Sequence, residues 1–342
     1  MSVTDVVGSM ANDGSGRNLQ VSILHRQAII PTCGRNHRHE PANRGRMQKV
    51  FVQAFYDETT ATISYVVHDK ERGGTAAVID PVWDFDPASG KLESRSAGRI
   101  LAYVRQRNLD VAWILETHAH ADHLSAAQWL KARLGGRVAI GGRIAEVQRH
   151  FYPLFHPDNR YAPDGSPFDH LFAEGDRFTI GTIPVRVMHT PGHTPACITY
   201  VIGDDEAAFV GDTIFMPDYG TARADFPGGD ARTLYHSIRR ILTELRPETR
   251  LFMCHDYRPG GRPPRWKTTV AEERAHNIHV HDGIDEETFV RLRQERDAQL
   301  AAPRLLYPSL QVNIRAGRLP DPEANGRRYL KIPLIIAENA RE

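Results

Sequence analysis

The sequence predicts an α/β protein built as a layered sandwich, on three observations. Short apolar runs bounded by turn-forming residues recur along the chain, segments of helical spacing alternate with them, and the runs fall into two β-rich blocks on either side of a long loop. Two β-rich halves with helices outside imply two sheets packed face to face under helical layers.

From Met47 the pattern becomes regular. Lys49 to Phe55, Thr62 to Val67 and Ala76 to Ile79 read as strands of an antiparallel meander, with Asp57-Glu58 and Gly73-Gly74 as turns. Asp80-Pro81 closes the third strand, Ala97 to Arg107 has helical spacing, and Val111 to Leu115 is short and apolar, as a buried strand would be. A polar loop leads from it into the amphipathic stretch Leu124 to Leu134. Val138 to Ile140 and Gly142 to Phe151 repeat the alternation. A loop rich in Pro, Asp and Tyr from Pro153 to His170 interrupts it, and such loops often shape access to a site. The second block holds strands at Arg177 to Ile180, Val185 to His189, Cys197 to Ile202 and Glu206 to Val210, a helix from Ala231 to Leu245 and a strand Leu251 to Cys254. Helical spacing returns at Val270 to His279 and Glu286 to Leu300. The tail from Pro303 is punctuated by prolines and carries a last apolar segment, Tyr329 to Ile336. No internal repeat of fixed short period is present.

At 342 residues and 41% hydrophobic, the chain can close a large core. Its formal charge of +1 gives no electrostatic argument for nucleic acid or an anionic membrane. No run approaches the roughly 20 apolar residues that span a bilayer. Cys33, Cys197 and Cys254 are too few and too scattered for a disulfide framework and fit a reducing, cytoplasmic setting. Cys254, beside His255, reads as a small buried residue at a strand end rather than a nucleophile. Residues 1–46 lack both apolar periodicity and the apolar core of a secretory signal, so they are expected to form a disordered extension. A catalytic domain is expected over 47–300, with a tail over 301–342 packed on or flanking it. The oligomeric state stays open, a homo-oligomer included.

The chemistry concentrates in His118-Ala119-His120-Ala121-Asp122-His123, three imidazoles and a carboxylate in six residues after the Val111 strand. In extended backbone residues two apart face the same way, so His118 and His120 can converge on one ion, while Asp122 and His123, at the expected helix start, point to a neighbouring position. Further ligand types follow at strand ends. Thr190-Pro191-Gly192-His193 has Pro and Gly in tight-turn order and would hold His193 stiffly. Gly211-Asp212-Thr213 offers a carboxylate able to ligate one ion or bridge two, and His255-Asp256-Tyr257 closes the Leu251 strand.

In this order and placement the residues resemble the pattern of the metallo-β-lactamase superfamily, over about Met47 to His281. The resemblance implies a metallo-β-lactamase αβ/βα four-layer sandwich with the site along one edge of the two sheets. It matches His118, His120, His193 and Asp212 to a first metal position, and Asp122, His123, Asp212 and His255 to a second. Within the superfamily the segments His189 to Thr194, Asp225-Phe226, Thr233 to Ser237 and His255 to Tyr257 resemble the persulfide dioxygenase branch, a relative of the glyoxalase II thioester hydrolases. Pro308 to Asn313 and Arg328 to Pro333 resemble its longer bacterial members. Where glyoxalase II enzymes carry Gly-Cys-Gly-Arg, this chain has Met216-Pro217-Asp218-Tyr219-Gly220-Thr221-Ala222-Arg223.

That branch implies one Fe(II) per chain held by His118, His193 and Asp212, with His120, Asp122, His123 and His255 as second-site or outer-shell groups. Two histidines and one carboxylate leave positions open for a sulfur ligand and O₂. The implied reaction oxidises glutathione persulfide with O₂ to sulfite and glutathione, with Arg223 and Tyr257 as candidate contacts to the charged glutathione. The alternative is a glyoxalase II-like hydrolase of glutathione thioesters with two Zn(II) and a bridging hydroxide.

Overall fold

The structure, a computed structural model, describes residues 50–156, 160–336 and 338. The expectations for residues 1–46, Cys33 among them, lie outside the described residues. The opening meander forms as β1 (Phe51–Tyr56), β2 (Ile63–His68) and β3 (Thr75–Ile79), each pairing antiparallel with the next. β2 is buried along its whole length, because Tyr65 and Val67 enter the space between the sheets while Val66 faces the helices. Then come β4 (Val82–Asp86), β5 (Lys91–Glu93), α1 (Arg95–Arg107), β6 (Asp110–Leu115), β7 (Leu124–Ser125), α2 (Ala127–Leu134), β8 (Arg137–Gly141), α3 (Ile144–Phe155) and β9 (His170–Phe172). β3, β6, β8 and β9 pair in parallel, completing a sheet of order β1-β2-β3-β6-β8-β9, and β5-β4-β7 form a small separate sheet.

The second half comprises β10 (Arg177–Ile180), β11 (Ile183–His189), β12 (Ile198–Ile202), β13 (Ala207–Phe209), α4 (Ala231–Glu244), β14 (Arg250–Phe252), β15 (Lys267–Thr269), α5 (Val270–His276), α6 (Glu286–Asp297) and α7 (Leu306–Asn313). Its sheet runs in order from β10 to β15. α4 forms because Leu234, Ile238, Ile241 and Leu242 recur on one face and Asp230 caps the start, accepting the Thr233 amide at 2.7 Å.

Three apolar clusters define the layers. Val67, Ile79, Leu115, Val187, Ile198 and Tyr200 meet between the sheets. A second cluster fills the space between the first sheet and α1, α2, α3 and α7, and a third lies under α4, α5 and α6. This is the four-layer αβ/βα sandwich expected from the sequence.

Two local readings are corrected. The amphipathic stretch expected from Leu124 becomes helical at Ala127, because Leu124 and Ser125 pair instead with Trp83 and Val82. Hence Asp122 and His123 do not open a helix. The tail, read only as punctuated by prolines, contains a helix: Pro308 lies in the first turn of α7, where its missing N–H costs nothing. The apolar segment Tyr329 to Ile336 joins no strand, and Leu334 and Ile335 are 82% and 90% exposed.

Candidate metal centre

The loop after β6 places His118, His120 and His123 in full burial. His193 follows β11 on the predicted turn. Gly192 there has φ +135°, and a Cβ on it would stand 2.3 Å from the Leu234 Cα, so the turn is seated directly on α4. Asp212 follows β13 after Gly211, whose φ is +53° and whose missing Cβ leaves room for Thr117 Oγ1. His255 follows β14 and makes a single β-bridge to Thr62, so it stands where the two sheets meet.

These residues converge as two clusters. The donor atoms of His118, His193 and Asp212 lie within 4.8 Å of one another, and so do those of His120, Asp122, His123 and His255. Asp212 sits between them: Oδ2 is 3.8 Å from His118 Nε2 and 3.7 Å from His193 Nε2, while Oδ1 is 3.5 Å from His255 Nε2. His255 Nε2 also lies 3.2 Å from Asp122 Oδ2. By its donor distances His120 groups with the second cluster, whereas the superfamily pattern matched it to the first.

The outer atoms of the same rings are occupied. His193 Nδ1 donates to the Arg223 carbonyl at 2.8 Å, His118 Nδ1 is 3.1 Å from the Thr117 hydroxyl, and the Thr62 hydroxyl lies within 3.4 Å of both His123 Nδ1 and His255 Nδ1. His120 is turned the other way, with Nε2 3.0 Å from Asp80 Oδ1 and 3.4 Å from Glu116 Oε2. What remains is a set of inward lone pairs. His118 Nε2, His120 Nδ1, His123 Nε2, His255 Nε2, Asp122 Oδ2 and Asp212 Oδ1 are all buried without a hydrogen-bond partner among the described residues. Six such orphans in one place would be costly in a dry interior, and a dication satisfies them. The donor set therefore fits one or two metal ions.

Electrostatics prepare the rings. Burial, then the neighbouring histidines, push His118 well below its ordinary value, so it presents a neutral lone pair. Burial opposes protonation of His120, but Asp80 holds it well above its usual range, and such a carboxylate behind a ligating imidazole strengthens it as a donor. Burial likewise works against Asp122, yet His255 and His123 keep it ionised. The Cys254 thiol is pushed up by burial, in keeping with a structural role.

The centre opens into a cavity of about 540 Å³, lined by Asp122, His193, Asp212, Phe215, Tyr219 and Tyr257 among others. Tyr257 stacks at 9° on His255 and is 44% exposed. Arg223 borders the same cavity, but its guanidinium is committed to Asp225 through Nε and Nη2 and to the Ala301 carbonyl through Nη1. Its backbone carbonyl is what reaches the centre. Sequence reasoning missed Asp80, read only as a strand end, along with Glu116, Thr62 and Asn313, because outer-shell partners carry no spacing signal.

A profile of the Metallo-beta-lactamase superfamily matches residues 59–255, more than half of the chain. The chain belongs to this superfamily. The chain is 54% identical over 291 residues to a probable metallo-hydrolase of Burkholderia pseudomallei, covering 83% of this chain and 98% of that one. It is 45% identical to glyoxylase B2 of Dictyostelium discoideum, over 84% of this chain and 97% of the relative. It is also 26% identical to the mitochondrial persulfide dioxygenase ETHE1 of Mus musculus, over 85% and 96%. Among solved structures, ETHE1 from Myxococcus xanthus matches with a TM-score of 0.62 and 28% identity, covering 78% of this chain and all of that one. No helix among the described residues is long and apolar enough to cross a membrane.

Proposed function

We propose that the chain is an iron-dependent persulfide dioxygenase, which converts glutathione persulfide, O₂ and water to glutathione and sulfite. The observation that carries this reading is the set of His118, His193 and Asp212, two imidazoles and one carboxylate, of which His193 and Asp212 border the cavity. Bound Fe(II) would supply redox chemistry toward O₂ and room for a sulfur ligand, neither of which a closed zinc site offers. The Arg223 carbonyl fixes His193 in the tautomer that leaves Nε2 free. Phe215, Tyr219 and Tyr257 form an aromatic wall that limits water beside the reacting sulfur. Tyr257 could offer its hydroxyl to the substrate, while Arg296 and Arg304 bring positive charge to the cavity for the glutathione carboxylates; Lys91 and Arg95 line it too but are paired with Glu93 and Asp84. Arg223 is a weaker contact, since a substrate carboxylate would have to displace Asp225. The persulfide dioxygenase relative and the ETHE1 structure support the reading. The free, buried thiols of Cys197 and Cys254 suit a reducing cytoplasm.

A dinuclear zinc hydrolase of glutathione thioesters is the second reading. The complete second cluster, with Asp212 between the two, favours it, as do the metallo-hydrolase and glyoxylase names of two relatives. Anaerobic metal analysis paired with O₂ uptake decides. Fe(II)-loaded protein should consume O₂ with glutathione persulfide, and His193→Ala should lose iron and rate together. Two zinc ions with rapid thioester cleavage and no O₂ uptake would sink the dioxygenase reading.

A further inference from the structure

The loop that carries four of the seven candidate ligands depends on partners outside it for its shape. Between β6 and β7 the carbonyls of His120 and His123 are buried and have no strand to pair with, so their hydrogen bonds must come from elsewhere. One side chain supplies both. Asn313, at the end of α7 and 4% exposed, donates through Nδ2 to His120 O at 2.8 Å and to His123 O at 2.7 Å, and its Oδ1 accepts the Ser125 amide at 2.8 Å. A flipped amide would set its oxygen against two carbonyls, so this network permits a single orientation.

The helix behind Asn313 is fixed in turn. Leu310, Val312 and Ile314 lie in the core, and Gln148 and Tyr152 both donate to the Ile314 carbonyl. Gly317, at φ +79°, lets the chain pass so close that a Cβ would stand 2.9 Å from Ser125 O. From the other side Asp80 and Glu116 hold the His120 ring, and Glu116 bonds the Ser125 hydroxyl. The ligand loop is thus gripped through its side chains by carboxylates and through its backbone by one carboxamide.

We propose that Asn313 is a positioning residue of the metal centre, setting the directions of His120 and His123 by clamping the two carbonyls of their peptide units. The inference rests on the metal reading above. Loss of the clamp leaves two buried carbonyls unsatisfied, and the loop must shift to recover partners, turning both imidazoles together. Asn313→Asp is the informative variant: it keeps the shape and the acceptor for Ser125, replaces the two-bond donor by an oxygen, and brings negative charge toward a cation. Coulomb attraction alone would tighten metal binding, and a broken clamp would loosen it.

The test uses the full chain, stripped by chelator, titrated anaerobically with Co(II) and read by its d–d absorption and by chelator competition. Asn313→Asp and Asn313→Ser should bind Co(II) about ten- to a hundredfold more weakly, with an altered spectrum. Val312→Ala, which loosens the packing of the same helix and leaves the Asn313 carboxamide in place, should bind as wild type does. Wild-type affinity and spectrum in Asn313→Asp would overturn the proposal, as would an equal loss in Val312→Ala. A wild-type chain that takes up no Co(II) would overturn the metal reading itself, which separates the two failures.

Discussion

The two halves of the sandwich deliver their ligands in different ways. The first half concentrates four in the six residues from His118 to His123 on one loop, held in place by Asp80, Glu116 and Asn313. The second half delivers His193, Asp212 and His255 one at a time from the ends of three strands, each set by its own backbone: a glycine turn seated on α4, a glycine passing Thr117, a bridge to Thr62. A dense loop is cheap in sequence but needs outside support. Scattered ligands are placed by the sheet that separates them, with one further bond each to His193 and His255, and His193 and Asp212 depend on the glycine beside them.

The strongest way to break this comparison is at Asp212, a member of the first cluster whose Oδ1 lies 3.5 Å from His255 Nε2 of the second. Asp212→Ala should abolish metal uptake at the first position and with it activity, as judged by metal-to-protein ratio, whereas Asp122→Ala bears on the second cluster alone. For a single-iron enzyme the Asp122→Ala ratio stays near one, and for a dinuclear hydrolase it falls from two to one. Gly192→Ala tests the dependence of the second half on backbone. The strained φ and the collision with Leu234 should cost about 3 kcal/mol or more in denaturant unfolding, and a near-neutral result would mean the turn can re-seat itself.

Asp80→Asn probes the support of the first half. Without the charge behind His120, metal affinity should fall by about ten- to a hundredfold while stability changes far less, measured by chelator competition beside thermal melting. The last effect lies away from the centre, at Glu273, and leaves metal binding unchanged. Burial pushes this carboxyl up to about 8, and its Oε1 has no hydrogen-bond partner among the described residues. Between its unfolded value near 4.5 and 8 the folded chain holds a proton that the unfolded chain releases, so stability falls as pH rises across that window. Glu273→Gln should flatten the decline, raising the melting temperature at pH 8 and barely at pH 4. Equal slopes for the two proteins would refute it.

Much of the architecture was legible because it rests on local periodicity. The meander, the strand before each ligand and the amphipathic α4 are written as apolar runs and helical spacing, and the ligand types stand out by their chemistry at strand ends. The start of α2 and the whole of α7 were not legible, since a tertiary pairing of Leu124-Ser125 with Val82-Trp83 delayed the one and a proline at a tolerated position hid the other.

By itself the sequence determined which donors exist and in what order they meet the ends of strands. Only the tertiary structure decided how they divide into two clusters around Asp212, that the Arg223 guanidinium is already taken, and that Asn313 reaches back 193 residues to His120. The physical reason is that a ligand is chosen by its own chemistry, which one residue can announce. Its direction is set by hydrogen bonds to buried partners, and these come from wherever in the chain the fold brings them.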